Sequence, residues 1–70
     1  MTIKMTQVKS TSISEIGYKR RTMNVVFKNG KIYEFKRVPR AKFDEFAAST
    51  SKGRFFNKQV KDAFPYTELS

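Results

Sequence analysis

The 70-residue sequence contains no cysteine and no histidine. Their absence removes disulfides, zinc knuckles, thiol nucleophiles and imidazole bases at once. Acid is scarce too: six Asp and Glu stand against fifteen Lys and Arg, a formal charge of +9. Asp44 and Glu45 are neighbours on a predicted helix and so point about 100° apart, which is no geometry for a facing acid/base pair. Glu15, Glu34, Asp62 and Glu68 are isolated along the chain, and the serines have no base beside them. No enzyme chemistry is expected from such a set, and no cofactor motif accompanies it. No apolar run approaches the roughly 18 to 20 residues of a membrane span, and the first six residues lack the apolar centre of a signal peptide. The expected location is a cytoplasm, the host's if a phage encodes the chain, with no membrane partner.

Hydrophobic residues make up 39% of the chain and aromatics 14%, enough to build one core in one small domain. Residues 1–7 read as a flexible N-terminus and residues 8–70 as the single domain. Met23, Val25 and Phe27 alternate on one face of a strand. Tyr33 and Phe35 do so on the next, and Asn29-Gly30 between them predicts a type I′ turn. Ile13, Ile16 and Tyr18 predict a preceding strand, with Gly17 as a bulge and Lys19-Arg20-Arg21 as the turn out of it. The period changes at Val38-Pro39. Phe43, Phe46 and Ala47 then predict a helix over about 39–48, while Ser51 predicts the cap of a second helix carrying Phe56, Val60 and Ala63 up to Pro65. Tyr66-Thr67-Glu68-Leu69 reads as a short extended edge. The predicted class is α+β, a small antiparallel β-meander packed against two short α-helices.

Charge is spread along the chain: residues 1–35 carry seven basic and two acidic groups, and residues 36–70 carry eight and four. So small a body with this charge attracts an anionic partner. Successive meander turns lie at opposite ends of a sheet. Lys19, Arg20 and Arg21 should therefore share an end with Lys36, Arg37 and Arg40 at the strand-to-helix junction, within reach of one phosphate backbone. Ser51-Lys52-Gly53-Arg54 offers a second anion contact through Lys52 and Arg54, although the spaced glycines of a P-loop are missing. Tyr33 is a candidate for stacking a base, Phe35 more simply a core ring, and Asn57 suits a base edge or a loop backbone equally well.

The ordered set Val8, Ser10, Ser12, Ile13, Ile16-Gly17-Tyr18, Val25-x-Phe27, Gly30-x-x-Tyr33-x-Phe35-x-x-Val38-Pro39, Ser51-x-Gly53-x-Phe55-Phe56-Asn57 and Tyr66 resembles the KTSC domain. That family is named for the C-terminus of some lysyl-tRNA synthetases and also occurs free-standing in bacteria and phages. The resemblance covers residues 8–69. It implies a small α+β domain with a suggested role in RNA binding, and it brings no catalytic residue or cofactor. Phe35 and Phe55 depart from it, standing where the family commonly has Tyr. The leading functional expectation is sequence-tolerant nucleic-acid binding, RNA ahead of DNA. Its alternative is a protein-interaction module docking on an acidic protein, such as a phage-encoded modulator of a host protein.

Overall fold

A computed structural model describes residues 3–69. Five strands, β1 (Met5–Gln7), β2 (Ile13–Lys19), β3 (Thr22–Phe27), β4 (Ile32–Phe35) and β5 (Tyr66–Glu68), form one sheet in the order β1-β2-β3-β4-β5. Every neighbouring pair is antiparallel, so the meander is as expected; β5 is the short extended edge expected after Pro65, and β1 adds a strand at the other edge. Helix α1 (Arg40–Ala48) and helix α2 (Lys52–Phe55) follow β4, and α2 widens directly into a π-helical turn at Phe56–Val60. No helix among the described residues is long and apolar enough to cross a membrane.

Register explains the core. Tyr18 faces Met23, which faces Phe35, while Ile16 faces Val25, which faces Tyr33, so one sheet face collects these side chains. Ile13, Ile16, Met23, Val25, Phe35 and Val38 are buried there with Phe46, Phe56 and Val60 from the helical segments. Phe27 and Phe43, on the apolar faces of the predicted strand and helix, are only half-buried. They pack on the core from its margin, Phe43 stacked on Tyr18 at 5.0 Å and Phe27 edge-on to Phe56 at 5.0 Å. Ala63 also departs from expectation: it lies beyond the π-helical turn and is exposed. Ser51 precedes α2 without a side-chain cap bond.

The segment assigned to a flexible N-terminus supplies β1, and residues 1–2 of it lie outside the described residues. Gly17 makes room for this strand. A Cβ there would sit 2.6 Å from Met5 Sδ and 2.7 Å from both Ile3 Cγ2 and the Lys4 carbonyl oxygen. Gly17 is thus a point of close chain approach, and the bulge lies one turn of the pleat earlier, between Ile13 and Glu15. Because one of the three obstructing atoms is backbone, Gly17→Ala is expected to push β1 off the sheet at a cost of about 1 to 3 kcal/mol. A chemical denaturation midpoint equal to the wild type's would show that β1 yields freely.

The turns exchange the roles expected of them. Gly30 has φ +94°, but Asn29 is not left-handed. Gly30 N donates to Phe27 O at 3.0 Å and Phe27 N to Lys31 O at 2.8 Å, so the β3–β4 loop has three residues and closes on a left-handed glycine. Asn29 Oδ1 accepts from Lys31 N at 3.0 Å within it. The two-residue turn with both central φ angles positive is at Arg20 (49°) and Arg21 (66°), between the paired Lys19 and Thr22.

Candidate functional site

The structure brings the two clusters of the predicted basic end to the same end of the sheet. Val38 N donates to Arg21 O at 2.8 Å, tying the β2–β3 turn to the β4–α1 corner, and the Tyr18 hydroxyl donates to Val38 O at 2.6 Å from beneath. Arg37 occupies that corner with φ 60°, and the Arg40 guanidinium lies 5.7 Å from the centre of the Tyr18 ring. Lys19, Arg20 and Lys36 line one shallow concavity of about 380 Å³ on the sheet face turned away from the helices. Carboxylates are interleaved with this set: Lys36 pairs with Glu34 at 3.0 Å and Arg40 with Asp44 at 3.0 Å. Arg20, Arg21 and Arg37 make no ion pair among the described residues. They are also its three non-glycine residues with left-handed backbone, a conformation costing an L-residue roughly 1 to 2 kcal/mol.

Lys52 and Arg54 lie at the opposite end. There the segment before β2 meets the start of α2, and the two line a groove of about 860 Å³. Lys28 N donates to Ser12 O at 2.8 Å, fixing this end beside the β3–β4 loop. Ser10 Oγ accepts from Ser12 N and Ile13 N, at 3.3 and 3.2 Å, and shapes the bend. Gly53 is small because Ser12 faces it: an added Cβ would stand 2.9 Å from Ser12 Oγ. Two cations the sequence reading did not select, Lys9 and Lys58, join Lys52 and Arg54 on the walls, and no carboxylate lines the groove. Lys52 Nζ donates to Ser49 O at 2.8 Å, so its charge is held beside the chain bend.

Tyr33 belongs to neither cation cluster. It lines a separate slot of about 210 Å³ between the sheet and the π-helical turn, with Phe27, Phe56, Tyr66, Asn57 and Lys61 among its walls. Tyr33 meets Phe27 and Tyr66 edge-on, at 5.6 and 5.4 Å between ring centres. Phe35, its neighbour on the same face, is 1% exposed and is a core ring. The signal available in the sequence for Lys9 and Lys58 was only their proximity to Ser10 and Asn57; what joins them is the tertiary contact between Ser12 and Gly53.

Four of the six acidic residues serve ion pairs. Glu34 and Asp44 are paired as above, Glu45 bonds Lys42 at 3.2 Å and Glu68 faces Lys31 at 3.6 Å. Among the described residues no three acidic groups gather as metal ligands would, and no catalytic constellation is present.

Comparison with known proteins fits this architecture. The KTSC domain family model matches residues 9–64. The crystal structure of a KTSC domain protein from Yersinia pestis superposes with a TM-score of 0.90, at 29% identity, over 99% of this chain and 100% of that one. A lysine–tRNA ligase of Nostoc sp. is 38% identical over 50 residues, and one of Nostoc punctiforme is 35% identical over 52. These stretches cover 71% and 74% of this chain but 9% of each ligase, so the chain spans under a tenth of the curated relatives it matches.

Proposed function

From the premise that the chain belongs to the KTSC domain family, we propose that it is a small basic module that binds nucleic acid without sequence preference, single-stranded RNA ahead of DNA, in a cytoplasm. The observation that carries this reading is the set Arg20, Arg21 and Arg37, three arginines held in left-handed backbone at one end of the sheet with no carboxylate partner. Strained backbone persists where the surrounding structure insists on it, and functional sites are where it collects. Arginine is also the side chain that holds phosphate with a planar fork of donors. RNA is preferred because the relatives in Nostoc are named as lysine–tRNA ligases, and this chain's charge of +9 favours a phosphate backbone. Lys19, Lys36 and Arg40 flank the three arginines, with Lys52 and Arg54 as a second contact at the far end.

Titrating the wild type with single-stranded RNAs of unrelated sequence across a salt series tests the reading. Affinity should be similar for all sequences and fall steeply with salt, by about 0.7 in log K per log salt for each phosphate engaged. An absence of oligonucleotide affinity at physiological salt would instead favour a module for an acidic protein.

A further inference from the structure

The aromatic slot and the cationic groove are neighbours, and one residue joins them. Asn57 lines both. Its exposed side-chain amide makes no hydrogen bond among the described residues. It stands in the π-helical turn, whose widened bond runs from Lys61 N to Phe56 O at 2.9 Å. Such turns are rare, and they recur at functional sites because they re-aim side chains that a regular helix would direct elsewhere. Phe56 and Val60 at the two ends of the turn are both buried, so the widening is locked by the core beneath it.

The chemistry on the two sides of Asn57 is different and complementary. On one side Phe27, Tyr33 and Tyr66 present ring surfaces, with Tyr66 on the outer edge 53% exposed. Neither the Tyr33 nor the Tyr66 hydroxyl has a hydrogen-bond partner among the described residues. A flat, apolar group with polar edges fits such walls. On the other side Lys9, Lys52, Arg54 and Lys58 stand with the Thr11 and Ser12 hydroxyls, which an anion with several acceptor oxygens would satisfy. A flat heterocycle attached to a phosphate is a nucleotide. Resting on the nucleic-acid reading above, we propose that slot and groove together hold one unpaired nucleotide of a single-stranded RNA. The base enters the slot that Tyr33 and Tyr66 line together and lies against the exposed Tyr66 ring, its phosphate lies in the groove, and Asn57 bonds the base edge at the junction. An amide offers both donor and acceptor, so it can serve any base, in keeping with sequence tolerance. A base held in a duplex cannot reach the slot, which makes the site selective for single strands.

The experiment compares a short labelled RNA strand, the same strand as an abasic ribose-phosphate chain, and the perfectly paired duplex, each bound by the full chain in fluorescence anisotropy. The wild type should bind the intact single strand about tenfold more tightly than the abasic chain, the scale of stacking one base on an aromatic ring. Tyr66→Ala and Asn57→Ala, both at exposed positions, should erase that preference while leaving abasic binding and its salt slope unchanged, and Tyr66→Phe should keep it. Lys9→Ala with Lys58→Ala should weaken the intact and abasic strands equally. An intact strand that binds no better than the abasic chain, a preference that survives Tyr66→Ala and Asn57→Ala, or a duplex bound as tightly as the single strand would each overturn the nucleotide site while leaving general nucleic-acid binding in place. Failure of every strand to bind at physiological salt would remove both readings.

Discussion

Phe46→Ala is expected to unfold the domain at physiological temperature. Phe46 is fully buried, stacked on Phe55 at 5.6 Å and tilted against Phe56 at 6.5 Å, so it connects α1 to α2 and through Phe56 to the sheet. Truncating a buried Phe costs about 3 to 5 kcal/mol in lost burial and residual cavity. A domain of this length has only roughly 4 to 10 kcal/mol to lose. At about 4 to 8 °C per kcal/mol for a chain of this size, the melting midpoint should fall by more than about 12 °C. Phe46→Leu, which retains most of the volume, should lose less than half as much. A Phe46→Ala protein melting within a few degrees of wild type would mean that α1 contributes little to the core.

What the sequence discloses about this fold, and what it hides, divides along a physical line. Alternation at Met23, Val25, Phe27 and Tyr33, Phe35 identifies the central strands because one face of each is buried and the other is not. The change of period at Val38-Pro39 likewise places α1. These are local consequences of burial and are written at the spacing of the element itself. β1 is not readable in this way. Its three residues are two polar and one apolar, and it exists because Gly17, twelve residues later than Met5, leaves space for it. The turn chemistry misleads for a related reason. Asn29-Gly30 is the pair that most favours a two-residue turn, yet the register of β3 on β4 sets a three-residue loop. Arg20-Arg21 has no left-handed preference at all, but the pairing of Lys19 with Thr22 leaves only two residues to reverse the chain.

The candidate sites show the same division more sharply. That the turn at Arg20-Arg21 meets the corner at Arg37 could be anticipated because meander topology alone puts alternate turns at one end. The groove could not, since Lys9 and Lys58 are 49 positions apart and meet only because Ser12 packs on Gly53. Nor does helical periodicity mark the π-helical turn that sets Asn57 between groove and slot. Ser10, Ser12, Gly53 and Asn57 each look like ordinary turn or cap residues in the sequence, and in three dimensions they line one groove.

The left-handed arginines permit a test in which stability and binding move in opposite directions. Replacing Arg20 by Asn and Arg21 by Gly supplies the pair that a two-residue turn prefers, and Arg37→Gly relieves the corner before α1. Arg21 contributes its carbonyl, not its side chain, to the bond with Val38 N, so the tie between the two segments survives. Relief of left-handed strain, offset in part by the greater freedom of glycine in the unfolded chain, should leave the triple variant at least as stable as wild type and up to about 2 kcal/mol more so. If these side chains engage phosphates, the same variant loses three contacts. The slope of log K against log salt should then shrink by about two, which at 0.1 M salt corresponds to roughly a hundredfold weaker binding of single-stranded RNA of any sequence. A selection for stability alone would not keep three arginines in these conformations, so a more stable and weaker-binding variant is the signature of a surface kept for its partner. A variant that gains stability and binds RNA as tightly as wild type, with the salt slope unchanged, would take the basic end out of the nucleic-acid interface and leave the groove at Lys9, Lys52, Arg54 and Lys58 as the place where phosphate is held.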